Sequence, residues 1–168
     1  MVKPLDDSED PDGRTAGTPP LLGHVGWRLW QAGRLWMDLF IAGMQEAGHG
    51  WFGLAQANLL GCLPRTGTRQ GVLAERTGLS KQAVQQLVDD LVAAGIVERI
   101  PDPADKRARI VRYTDAGLAA MADGNRIKLA IEAQFAEQLG VRDLARLKEI
   151  LAKLAQARAG SGWPADSP

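Results

Sequence analysis

The stretch GVLAERTGLSKQAVQQLVDDLVAAGIVERIPDPADKRARIVRYTDAG, residues 71–117, decides the fold. It opens inside a helix expected over residues 69–77. Gly78 follows, a residue that takes the left-handed conformation of a C-terminal cap without steric cost, and Ser80 stands where an N-cap is needed. Two helices therefore meet across a tight turn. In the second, Val84, Leu87, Val88, Leu91 and Val92 fall at i, i+3, i+4, i+7 and i+8, a one-sided apolar stripe that Gly95 stops. Residues 96–100 and 109–113 are short β-branched runs flanking PDPADKRA, which predicts a two-stranded hairpin with an extended polar tip. Thr114 then caps a further helix.

Outward from this centre the chain reads as helix. Residues 21–47 are apolar and aromatic with scattered polar positions, and residues 48–50 (GHG) end that run. Residues 51–63 (WFGLAQANLLGCL) form a shorter helix closed by Pro64 and the turn-forming RTGT. Beyond residue 114 the helix extends to about Leu139. After Gly140 a last helix carries Leu144, Leu147, Ile150, Leu151 and Leu154 at the spacing of a helix-packing seam. The fold class is mainly α with a small β-hairpin wing. Its expected domains are an acidic disordered tail (1–20), an N-terminal dimerisation helix (21–50), a winged helix-turn-helix (51–117), C-terminal dimerisation helices (118–158) and a flexible tail (159–168).

The order helix, helix, short turn, helix, basic-tipped hairpin is that of a winged helix-turn-helix. With the apolar stripe turned inward, Gln82 and Gln86 point most nearly outward, with Gln85 and Lys81 to the sides. A glutamine amide can pair with adenine N6 and N7 in the major groove, while Ser80 and Lys81 at the helix start can meet phosphate. Asp89 and Asp90, further along, imply that only the first two turns enter the groove. On the hairpin, Lys106, Arg107, Arg109 and Arg112 concentrate positive charge within reach of a minor groove.

Residues 71–117 resemble the MarR family of winged helix-turn-helix regulators. The likeness runs through the turn, the recognition helix, the DPxDxR wing and Thr-x-x-Gly; more weakly, it extends from about residue 21 to 157. The resemblance implies a homodimer bound to double-stranded DNA through a near-palindromic operator, acting as a ligand-responsive repressor. It makes Arg107 the residue inserted into the minor groove, and Asp105 the acid that pairs with it and orients the wing. It also implies a crevice for a small aromatic or anionic effector, for which His24, Trp27, Arg28 and Trp30 are candidates. Packing at a dimer interface is the plainer account of the tryptophans.

Composition narrows the function further. With 45% hydrophobic and 24% charged residues the chain is an ordinary globular one. Lys plus Arg equals Asp plus Glu at 20 each, so only distribution speaks: residues 65–114 hold 9 basic against 6 acidic side chains, residues 1–20 hold 2 against 5. The acidic start is the reverse of a signal peptide, and no apolar run spans a membrane, so a cytoplasmic location is expected. The single cysteine, Cys62, is read as a buried structural thiol, with a redox-responsive regulator as the alternative. His24 and His49 lack partners at metal-ligand spacing, so no metal or other cofactor is expected and capping or helix-face roles are the default. No phosphate loop, nucleophile elbow or metal motif supports an enzyme. A helix-turn-helix protein-interaction module without DNA binding is the remaining alternative.

Overall fold

The computed structural model describes residues 24–159. Residues 1–23 and 160–168, on which the two expected tails fall, lie outside the described residues. The elements in order are α1 (Val25–Glu46), α2 (Leu54–Cys62), β1 (Thr68–Arg69), α3 (Gln70–Thr77), α4 (Lys81–Ala93), β2 (Val97–Asp102), β3 (Asp105–Tyr113), α5 (Asp115–Leu139) and α6 (Val141–Ala159). The chain divides into two structural units within α1, one up to Leu35 and one from Trp36. In the first, His24 caps the helix start, its Nδ1 accepting the Trp27 N–H at 3.3 Å, and the Trp27 and Trp30 rings stack at 4.8 Å.

Within the second unit the turn between α3 and α4 forms as its residues dictate. Gly78 takes φ 68° at the end of α3, and Ser80 Oγ accepts the Ala83 N–H at 3.1 Å. The stripe of α4 packs inward: Val84 and Val88 are fully buried and Leu91 nearly so, while Leu87 is half-buried and Val92, at the stripe's edge, is exposed. These side chains join Leu59, Leu73, Val97, Val111 and Tyr113 in one core. A second cluster gathers Phe40, Met44, Phe52 and Ile131, where α1, the segment before α2 and α5 meet.

The sheet departs from the two-stranded hairpin in two ways. It has three strands in the order β1-β3-β2, because Thr68 and Arg69 pair with Val111 and Ile110. Arg69 thereby belongs to a strand rather than to the following helix. The expected long tip is also mostly strand: β2 and β3 remain paired out to Asp102 opposite Asp105, leaving Pro103 and Ala104 as the turn. Asp102 Oδ1 accepts the Ala104 N–H at 2.8 Å, so the carboxylate supplies the turn bond that the prolines seemed to forbid.

At the far end of β3 the chain is locked to the end of α4. Thr114 Oγ1 donates to the Gly95 carbonyl at 2.6 Å and accepts the Gly117 N–H at 3.0 Å, and the Thr114 N–H donates to the Ile96 carbonyl at 3.1 Å. Gly117 is required there by space: a Cβ would stand 2.0 Å from the Ile96 carbonyl oxygen. Gly117→Ala is therefore expected to destabilise the fold by about 2 kcal/mol or more, overriding the helix propensity gained. Gly71→Ala, where a Cβ meets nothing within 4 Å, should hold or raise the melting temperature. Thermal denaturation of the two variants checks the contrast.

Candidate nucleic-acid interface

The start of α4 presents Lys81, Gln82, Gln85 and Gln86 as exposed side chains beside the capping Ser80. The hydrogen bonds sort the glutamines. Gln85 is committed on both sides: its Oε1 accepts from Gln70 Nε2 at 2.7 Å, and its Nε2 donates to both Asp89 oxygens at 3.0 Å. Gln86 Nε2 donates to Asp90 Oδ1 at 2.9 Å, leaving its carbonyl oxygen without a bond among the described residues. Gln82 makes no side-chain bond to a described residue. It is the second residue of α4, within the first turn, where a base edge is most accessible to a recognition helix.

Asp89 also makes a contact beyond its own helix. Its Oδ1 lies 2.6 Å from Arg99 Nη2 on β2, a charge contact without hydrogen-bond alignment, so α4 is tied to the sheet. Gln85, and then Arg99, hold its carboxyl below the usual carboxylate range. The pairs Gln85–Asp89 and Gln86–Asp90 lie at i,i+4 and were readable as helix-surface pairs from spacing alone.

Arg107 is exposed at the wing. Asp105, expected to pair with it, instead accepts the Arg107 backbone N–H on its Oδ1 at 3.0 Å. The carboxylate thus shapes the backbone beneath Arg107, in the local bond that an Asp side chain makes to the backbone N–H two residues on. Arg109 is exposed and its Nη1 donates to the Ala108 carbonyl, while Arg112 pairs with Glu98 at 2.7 Å across the strands.

The acid that sequence reading missed is Asp102, 6% exposed and joined to Arg69 Nε at 2.6 Å. The Ala104 N–H, and after it Arg69, hold the Asp102 carboxyl below its ordinary range. The separation of 33 residues between the partners hid the pair.

A cavity of about 280 Å³ lies between the second half of α1, α2 and α5. Phe40, Met44, Phe52 and Leu60 make its apolar wall, with Tyr113, Asn125 and Lys128 as polar members. Lys128 Nζ sits 5.1 Å above the Phe40 ring, and Tyr113 Oη donates to the Leu60 carbonyl at 3.0 Å, its pKa pushed up to about 12 by burial. His24, Trp27, Arg28 and Trp30 lie on the first turns of α1, all exposed except the half-buried Trp27, and are not among this cavity's lining. His49 donates to Asp123 at 3.0 Å, a tertiary link rather than a cap. Cys62 is half-buried, not buried, with Sγ 3.8 Å from the Arg76 carbonyl. Among the described residues no group of three or more His, Cys, Asp or Glu could hold a metal, and no helix is long and apolar enough to cross a membrane.

Comparison with known proteins agrees with the fold. The MarR family model matches residues 52–108, from the segment before α2 to the wing. This segment of the chain is therefore similar to the MarR family. Its members are transcriptional regulators, not enzymes. The HTH-type transcriptional regulator TcaR of Staphylococcus aureus is 27% identical over 101 residues, 58% of this chain and 66% of that protein's length. MarR of E. coli in its apo form aligns over 78% of this chain and 96% of its own, at 21% identity and TM-score 0.66. CouR of Rhodococcus jostii RHA1 bound to p-coumaroyl-CoA covers 90% of this chain and 100% of its own, at 20% identity and TM-score 0.63. The winged helix is thus the region matched by the family model, and the structural likeness extends over the flanking helices.

The depressed Asp102 carboxyl carries a pH signature. A carboxyl held low in the folded state contributes stability above its unfolded pKa of about 4, lost as pH falls through the folded value. Wild type should therefore lose more stability than Asp102→Asn between about pH 5 and pH 2, as measured by chemical denaturation across that range.

Proposed function

We propose that the protein is a homodimeric, ligand-responsive repressor in the cytoplasm that binds double-stranded DNA at a near-palindromic operator. The observation that carries the reading is an exposed Gln82 at the start of α4, with no side-chain bond to a described residue, together with an exposed Arg107 at the wing. One offers a major-groove amide, the other a cation for the adjacent minor groove. Ser80 and Lys81 at the helix start suit phosphate, and Gln86 keeps one acceptor for a base or water. Gln85, bonded on both sides, orients rather than reads. Arg109 supplements the charge of the wing, and Asp105 supports Arg107 through its backbone.

Dimerisation is supported by apolar surface that a lone chain leaves wet. On α6, Leu147, Ile150, Leu151 and Leu154 are exposed at helix-seam spacing, and Val25, Leu29, Trp30 and Leu35 are exposed on α1. Two copies joined through their N- and C-terminal helices place two recognition helices on one face of DNA, about 34 Å apart. Occupancy of a promoter by such a dimer blocks polymerase, which favours repression. Leu147→Glu with Leu151→Glu should convert the dimer to a monomer in sedimentation at micromolar concentration and weaken operator binding with it.

An effector of the aromatic-acid class suits the cavity, where Lys128 stands among aromatic walls. The Trp27–Trp30 stack, with Trp30 exposed and Trp27 half-buried, offers together with His24 and Arg28 a second aromatic surface for the same chemistry. CouR, with its bound p-coumaroyl-CoA, shows that a protein of this fold can hold an aromatic acyl ligand. Such a ligand acts if it binds one spacing of the recognition helices better than another, and the coupling is then reciprocal.

The test is fluorescence anisotropy on a duplex selected from a random pool and on a scrambled duplex, at several salt concentrations. Arg107→Ala should weaken binding to both and lower the salt slope by about one. Gln82→Ala should cost about 1 to 3 kcal/mol on the selected duplex alone, with an unchanged slope. Gln85→Ala should cost less than Gln82→Ala. Wild-type affinity that is weak and equal on both duplexes would favour an interaction module instead.

A further inference from the structure

The wing outruns its supporting strand. β1 pairs only Thr68 with Val111 and Arg69 with Ile110, whereas β2 and β3 continue together to Asp102 and Asp105. Everything from Pro101 to Arg109, including Arg107, therefore projects past the third strand, and the ladder is irregular between Pro101 and Asp102. A two-stranded ribbon without a third strand or a packed face is marginal by itself and free to twist. Its tip needs a separate tie.

Arg69 and Asp102 supply one. Arg69 is the last residue before α3, the helix that packs against the recognition helix, and its Nε donates to Asp102 Oδ2 at 2.6 Å. Asp102 sits at the base of the turn with its side chain 7% exposed, and its other oxygen holds the Ala104 N–H. One carboxylate thus grips the tip with one oxygen and the helix-turn-helix with the other. Charge-assisted bonds of this kind fix geometry more than they add stability at a half-exposed arginine. We propose that the Arg69–Asp102 pair is the tether that sets where the wing tip stands relative to the recognition helix, making both positioning residues for DNA binding through Arg107. The proposal rests on the DNA-binding reading above.

The tether and plain electrostatics predict opposite signs. Asp102→Asn removes a negative charge near the surface offered to phosphate, which by charge alone tightens binding. It keeps an acceptor for the Ala104 N–H while deleting the ionic grip on Arg69, which by position weakens binding. The expected result is about a tenfold loss of affinity for the selected duplex with the salt slope unchanged, and the loss should nearly vanish when Asp102→Asn is made in an Arg107→Ala background. Arg69→Gln, the second variant, should likewise lose much of its effect in that background. Deuterium uptake by peptides spanning residues 101–109, measured without DNA, should rise in Asp102→Asn while that of α4 stays constant. Unchanged or tighter binding by Asp102→Asn, an equal loss with and without Arg107, or unchanged uptake at the tip would each overturn the tether. If uptake rises as expected but wild type shows no preference for duplex DNA, the tether stands and the functional reading fails.

Discussion

The architecture depends on the junction at Thr114. There the end of the recognition helix, the end of the sheet and the start of the long α5 helix converge on one hydroxyl and two carbonyls. Thr114 Oγ1 bridges the Gly95 carbonyl and the Gly117 N–H, and Gly117 lets the α5 backbone press against the Ile96 carbonyl oxygen. A buried, bonded contact of this closeness tolerates no side chain. It joins the end of α4, the end of β3 and the start of α5 through direct backbone contact.

A second order of organisation lies in the polar links that run between the helix-turn-helix and the sheet. Gln70 holds Gln85, Gln85 holds Asp89, and Asp89 contacts Arg99 on β2, while Arg69 holds Asp102 at the wing. These links fix the placement of α4 relative to the sheet and the wing, the two surfaces proposed to meet DNA. They are partly exposed, so their worth lies in orientation more than in folding energy. Among the glutamines they separate an amide that is spoken for from one that is available, a distinction invisible in the polar face of a helical projection.

What the sequence revealed and what it concealed follow from the range of the interactions. Gly78 and Ser80 act on their own backbone or on residues three away, so the helix-turn-helix was legible, as was the inward stripe of Val84, Val88 and Leu91. The Thr-x-x-Gly cap was legible for the same reason. Strand β1 was not, since two residues carry no alternation and pair with Val111 and Ile110 far along the chain. The wing tip misled because prolines and charges read as loop, whereas Asp102 closes a two-residue turn with its own carboxylate. Asp105, expected to pair with the Arg107 side chain, bonds the Arg107 backbone N–H. The bonds His49–Asp123 and Arg69–Asp102, 74 and 33 residues apart, join residues with no local signature at all. Cys62 and the aromatic first helix show a milder form of the difficulty: composition gives apolarity but not the depth of burial.

The central claim is that two copies of this winged unit read two half-sites, each with a helix in the major groove and a wing in the neighbouring minor groove. Hydroxyl-radical footprinting on a duplex selected from a random pool tests it most directly. The account predicts two symmetric protected regions centred about 34 Å apart, each flanked on its outer side by a short minor-groove protection that disappears with Arg107→Ala. A single asymmetric footprint, or outer protections that persist without Arg107, would contradict it.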